Sequence, residues 1–92
     1  MKVRVKMFAN LQEISGTGEV LLEAGTVLSA LEQLVDMFAG LMDEIFEDFD
    51  KRELKARIKI MVNGRNIDYL DGLRTALGEG DRVAVFPILA GG

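Results

Sequence analysis

Alternation at both ends of the chain sets the strongest limit on its fold. Near the start, Val3, Val5 and Met7 alternate with Lys2, Arg4 and Lys6; near the end, Val83 and Val85 alternate with Arg82, Ala84 and Phe86. A period of two marks a strand with one face buried and the other wet. Only these two rows are apolar enough for the middle of a sheet. The first and last strands are therefore expected to lie side by side at its centre, parallel to each other.

The segments between them follow from turn chemistry and from a change of period. Gly16-Thr17-Gly18 separates the first strand from Glu19-Val20-Leu21-Leu22-Glu23, which reads as its hairpin partner, with Asn10 to Ser15 bridging as a short helical turn. Thr26 is placed to cap a helix and Gly40 to end it in a left-handed conformation. Between them Val27, Leu31, Leu34, Val35 and Phe38 share one helical face. A second helical pattern is read in Met42, Ile45, Phe46 and Phe49, interleaved with Asp43, Glu44, Glu47, Asp48 and Asp50 and ending near Leu54. Alternation returns at Arg57 to Val62. Asn63-Gly64 then suits a tight hairpin turn into a short strand over Arg65, Asn66 and Ile67. Leu70, Leu73 and Leu77 anchor an irregular crossing, and Gly78-Glu79-Gly80-Asp81 is a turn that launches the last strand, Arg82 to Phe86. Pro87, without an N–H, ends regular pairing. The order predicts an α+β fold, a mixed sheet with one main helix packed across a face, over residues 1–87, followed by an arm at 88–92.

Composition narrows the chemistry. Apolar residues make up 49% of the 92 and charged residues 28%, the balance of one small folded domain. There is no cysteine and no histidine, so thiolate nucleophiles, imidazole bases and nearly all zinc sites are excluded. A net charge of −4 leaves no broad basic surface expected for nucleic acid and favours a basic partner. No signal peptide or membrane-length apolar run is seen, and a cytoplasmic location is expected. Asp43, Glu44, Glu47 and Asp48 read as a solvated helix face, not a metal site. The two carboxylates of Gly78-Glu79-Gly80-Asp81 would repel a phosphate.

A hairpin, a helix, Val62-Asn63-Gly64, and then Gly80-Asp81-x-Val83-Ala84-Val85-Phe86-Pro87 running into Gly91-Gly92 together resemble the β-grasp, ubiquitin-like sulfur carriers. The likeness is greatest to the small subunit of molybdopterin synthase and to the small ubiquitin-like modifiers, and it covers essentially the whole chain. Val62-Asn63-Gly64 is common to many hairpins, whereas the run from Gly80 to the terminal diglycine is fairly specific. Two departures stand out. Ile88 occupies the place of a frequent second proline, and the acidic stretch from Asp43 to Glu53 is longer than in the thiazole-pathway carriers.

The resemblance implies that the Gly92 carboxyl is adenylated by an E1-like enzyme, which uses ATP, and is then converted to a thiocarboxylate. The carrier itself binds no cofactor and is not an enzyme on its own. Gly91 and Gly92 suit this role because residues without Cβ give the thinnest arm and the widest choice of φ. From Pro87 to Gly92 an extended arm reaches roughly 20 Å. Phe8, Phe86, Pro87, Ile88 and Leu89 are implied as docking residues for the activating enzyme and the large molybdopterin synthase subunit; core packing is the ordinary fate of each aromatic among them. Arg65 and Arg82 read as solvated charges. Three roles stay open: sulfur donor to a pterin precursor, modifier joined to lysines through Gly92, or a non-covalent β-grasp interaction module.

Overall fold

In the computed structural model, which describes residues 1–88, the first alternating run becomes strand β1 (Lys2–Met7), its three apolar side chains buried. Helix α1 (Asn10–Ser15) follows, as the bridging turn required, and ends at Gly16 in a left-handed conformation. Strand β2 (Glu19–Glu23) returns antiparallel to β1, with Val5 opposite Val20 and Val3 opposite Leu22. Helix α2 (Val27–Met37) begins where expected: Thr26 Oγ1 accepts the Ser29 N–H at 3.1 Å, a cap that contributes about 1 kcal/mol. Its buried face is Val27, Ala30, Leu31, Leu34 and Val35.

The end of that helix departs from expectation. It stops at Met37, Phe38 is extended (φ −132°), and Gly40 has a right-handed φ of −64° leading into helix α3 (Leu41–Ile45). Glycine is needed at 40 for space instead: a Cβ there would lie 2.9 Å from Ile14 Cγ2 on α1.

The long acidic helix is not formed either. α3 lasts five residues, and the chain then turns through strands β3 (Phe46–Asp48) and β4 (Glu53–Leu54), a separate two-stranded sheet. A helix this short has little stability of its own, and two side-chain interactions favour the hairpin. Asp48 accepts the Lys51 N–H at 3.1 Å, closing a turn. Phe46 and Phe49 meet edge to face, centroids 5.1 Å apart, with the Arg52 guanidinium 3.8 Å from the Phe49 ring centre. Asp43 to Glu53 is thus split between a helix and a hairpin.

Strand β5 (Ile58–Val62) and the short strand β6 (Arg65–Asn66) flank Asn63-Gly64, where both residues have positive φ (52° and 84°), as a two-residue hairpin turn with matching twist requires. The crossing contains two single 3-10 turns, Ile67–Tyr69 and Gly72–Arg74. Leu77 is buried; Leu70 and Leu73 pack partly against the core. The Val27 N–H bonds to Thr75 O at 3.1 Å and the Leu77 N–H to Gly25 O at 2.9 Å, which tie the crossing to the start of α2.

Strand β7 (Arg82–Pro87) completes the five-stranded sheet, in the order β2-β1-β7-β5-β6. β1 and β7 are central and parallel, Val5 beside Val83 and Met7 beside Val85. The turn before β7 is fastened by Asp81, whose carboxylate accepts the Gly78 N–H at 2.7 Å and the Asn63 amide at 2.9 Å, while Asn63 Oδ1 accepts the Arg82 N–H. These bonds, the Gly78 amide foremost, hold the Asp81 carboxyl below the ordinary aspartate range.

Two outcomes are expected. Leu31→Ala, at a fully buried position, should cost about 2–5 kcal/mol in urea unfolding. Because the Asp81 pKa is lowered in the folded state, its contribution is complete above the unfolded value of about 3.9 and is lost as pH falls through the folded value. Melting temperatures of the native protein and Asp81→Asn should therefore differ at neutral pH and converge only as pH falls below the ordinary aspartate range, through the lowered folded value.

Candidate functional site

The side chains of β7 divide between two environments. Val83 and Val85 point into the core beneath α2, while Arg82, Ala84 and Phe86 lie on the opposite, uncovered face of the sheet. Phe8, just past the end of β1, reaches the same face. Its ring meets Phe86 edge to face, centroids 6.3 Å apart at 88°. Phe8 is 44% exposed and Phe86 half-buried, so neither belongs to the main core.

Strand pairing runs further along β7 than a proline suggests. Pro87 lies opposite Ile58, and the Ile88 N–H then donates to Arg57 O at 2.7 Å. Pro87 contributes no donor, and the next residue supplies the one that holds the strand. The Ile88 side chain is nevertheless 45% exposed. It borders an open cleft shared with Glu53, Leu54, Lys55 and Arg57.

Arg57 is itself held. Its guanidinium meets Glu44 Oε2 at 3.1 Å, and the same oxygen accepts the Asn10 side-chain amide at 2.8 Å. Helices α1 and α3 thus converge on the segment whose carbonyl fastens Ile88. Nothing in the sequence marks these residues, because Asn10 and Arg57 lie 34 and 13 positions from Glu44. With Glu44 engaged this way, the expected solvated acidic face is only partly present, and no three His, Cys, Asp or Glu side chains among the described residues gather to hold a metal ion. No helix among them is long and apolar enough to cross a membrane.

The uncovered face is not neutral. Alternation places Lys2, Arg4 and Lys6 of β1, Lys59 of β5 and Arg82 of β7 on it, against Glu19 and Glu23 of β2. With Asp68 set against Lys59, the face carries five cations and three carboxylates, a net charge of +2 in a chain of −4, so the rest of the molecule carries −6. Net charge alone, which pointed to no broad basic surface, hides this separation. Arg4 pairs with Glu19 and Lys59 with Asp68, each at 3.6 Å; Lys2, Lys6 and Arg82 have no ion pair among the described residues.

Of the sequence-predicted docking residues, Phe8, Phe86, Pro87 and Ile88 therefore gather at the end of the central strand pair. Leu89, and the candidate acyl residues Gly91 and Gly92, lie outside the described residues.

A helix across a five-stranded mixed sheet, with the last strand central and leading to a diglycine, is the ubiquitin-like β-grasp arrangement of carrier and modifier proteins. The chain belongs to the ThiS family, whose model matches residues 5–92. It is 35% identical to a putative sulfur carrier protein of Archaeoglobus fulgidus, over the whole of both chains. The solution structure of small archaeal modifier protein 1 from Methanosarcina acetivorans is similar at a TM-score of 0.89 and 39% identity, covering 99% of this chain and 96% of that one. A putative molybdopterin converting factor, subunit 1, from Pyrococcus furiosus is similar at 0.75 and 28%, covering 97% and 99%.

The two rings should stabilise each other although both are partly exposed. A double-mutant cycle of Phe8→Ala and Phe86→Ala, followed by urea unfolding, is expected to give a coupling of about 0.5–1.5 kcal/mol.

Proposed function

We propose that the chain is a sulfur carrier whose Gly92 carboxyl is adenylated by an ATP-dependent, E1-like partner and then carries sulfur as a thiocarboxylate, which it donates in molybdopterin synthesis as the small subunit of the synthase. The observation that carries this reading is the anchoring of β7 up to the Ile88 N–H, only four residues before Gly92. A firmly held base followed by a short segment that ends in Ala90, Gly91 and Gly92 suits delivery of a terminal acyl group into another protein's active site.

The chemistry demands a division of labour. A carboxylate is a poor acyl donor to sulfur until its oxygen is made a leaving group. In adenylation the carboxylate oxygen attacks the α-phosphorus of ATP and pyrophosphate leaves; a sulfur nucleophile then adds to the carbonyl and AMP departs. This chain has no histidine or cysteine to act as base or thiolate. The nucleotide site, the sulfur source and the pterin precursor are accordingly assigned to partners. What this chain supplies is an acyl group and a docking surface of Phe8, Phe86, Pro87 and Ile88, to which Leu89 is assigned as a further contact.

A second reading has equal support. The likeness to a small archaeal modifier protein favours transfer of the same activated Gly92 acyl group to lysine amines of other proteins. The two share the adenylate and differ in the nucleophile that follows it.

Intact-protein mass spectrometry after incubation with the adenylating enzyme, ATP and a sulfur donor is expected to show replacement of one oxygen by sulfur. Deletion of Gly92 should abolish the increment while leaving the melting temperature unchanged. A terminus that stays a carboxylate under these conditions, while lysine-linked adducts form, would give the assignment to the modifier reading.

A further inference from the structure

We propose that Glu44 is a positioning residue: by holding Arg57 it keeps the last bond of β7 closed, and so fixes the point at which the folded body ends and the arm begins. This deepens the reading above and rests on it.

The end of β7 is held differently from its middle. Pairing with β1 stops at Met7 and Val85, so Phe86 and Pro87 are paired on one edge only, with Lys59 and Ile58 of β5. Bonds between antiparallel strands fall on alternate residues. The Asn63 N–H donates to Arg82 O at one end of the pair, and the Ile88 N–H to Arg57 O at the other. Arg82, Ala84, Phe86 and Ile88 are therefore the bonding positions. The missing N–H of Pro87 falls on the edge that β1 has already left, where it costs no bond to β5. The bond from Ile88 to Arg57 closes the ladder with no second edge to support it.

Its acceptor is not fixed by the core. Arg57 is exposed and precedes β5 in a turn closed by the Ile58 N–H onto Lys55 O at 3.0 Å. One end of that turn is tied to α3 through the Lys55 N–H and Ile45 O, at 2.9 Å. The other tie to α3 is the Arg57 guanidinium, 3.1 Å from Glu44 Oε2. Asn10 donates to the same oxygen at 2.8 Å, and both bonds to Glu44 are charge-assisted. Asn10 Oδ1 is buried without a partner among the described residues; the amide is committed to Glu44 through its donor. The side chains of Arg57 and Glu44 are 46% and 30% exposed, so losing the pair shifts the closed fraction several-fold without unfolding the domain.

Closure decides the length of the tether. With the bond made, four residues follow it, Leu89 to Gly92, an extended reach of roughly 14 Å. With the bond open, the ladder ends at Phe86 and six residues follow, roughly 20 Å. A longer tether samples more space, so the Gly92 carboxylate spends less time at reacting distance from the α-phosphorus of ATP. Phe8 and Phe86 lie before the opened bond and keep their places. The cost accordingly falls on kcat and not on KM.

Full-length variants are compared by melting temperature, by exchange of the Ile88 amide in NMR, and by kcat and KM for adenylation, read as pyrophosphate released with ATP and the adenylating enzyme. Glu44→Ala should speed Ile88 exchange about 3- to 5-fold relative to the Val83 amide and lower kcat by a similar factor, with KM unchanged. Asn10→Asp, which sets a second carboxylate against Glu44, should act in the same direction. Glu44→Arg combined with Arg57→Glu remakes the pair, the Asn10 amide turning over to offer Oδ1, and should move both readouts back toward native values. Glu47→Ala removes an exposed carboxylate that borders the same cleft without bonding Arg57, and should match the native chain. If Glu44→Ala is not folded at the assay temperature, Glu44→Gln decides. Unchanged Ile88 exchange overturns the inference while pyrophosphate release leaves the carrier reading standing. Faster exchange with kcat unchanged, or a loss confined to KM, overturns the positioning role. No pyrophosphate release from the native chain overturns the acyl chemistry proposed above, and the exchange rates then still decide whether Glu44 holds the strand end.

Discussion

The parallel pairing of β1 with β7 is the contact on which the rest of this protein depends. It joins residues about 78 positions apart, Arg4 with Arg82 and Val5 with Val83, and its closure sets the place of everything between. α2 packs across the valine rows of both strands, and β2 and β5 extend the sheet on either side. Bringing such distant segments together carries an entropic cost that local structure does not repay until the core forms. The valines that repay it are all at or near complete burial: Val3, Val5, Val83 and Val85.

That central pair also explains where the site lies. β7 is held on both edges as far as Val85, and its last residues, Phe86 and Pro87, stay paired with Lys59 and Ile58 of β5. The described chain ends at Ile88, whose exposed side chain borders the cleft beside Arg57. The Ile88 N–H rests on the Arg57 carbonyl, Arg57 on Glu44, and Glu44 on Asn10. A strand end held in this way suits the proposed carrier role, because the cost of placing a reacting group falls when its support is already ordered. The same pairing produces the separation of charge, since alternation sends valine to one face of β1 and lysine or arginine to the other.

Much of the architecture was legible from local patterns. Alternation located β1, β5 and β7, the Gly16-Thr17-Gly18 turn located β2, the Thr26 cap located the start of α2, and Asn63-Gly64 located a turn with two positive φ angles. The readings that failed did so where two periodicities share the same residues. Met42, Ile45, Phe46 and Phe49 fit a helix, yet pairing of Phe46 with Leu54 and the edge-to-face contact of the two rings favour a hairpin. Gly40 resembled a helix stop because glycine commonly serves as one; its actual role is to admit Ile14, a constraint from a segment 26 positions earlier.

By itself, then, the sequence determined the class of fold, the central strands and the main helix, because these depend on period, turn chemistry and residue type. Tertiary structure alone decided that Phe8 meets Phe86, that Glu44 joins Asn10 to Arg57, and that five cations of an acidic chain share one face. The physical reason is that each of these is a contact or a juxtaposition between strands and helices far apart in the chain. No local period encodes them, and they appear only when the β1–β7 pairing sets the register.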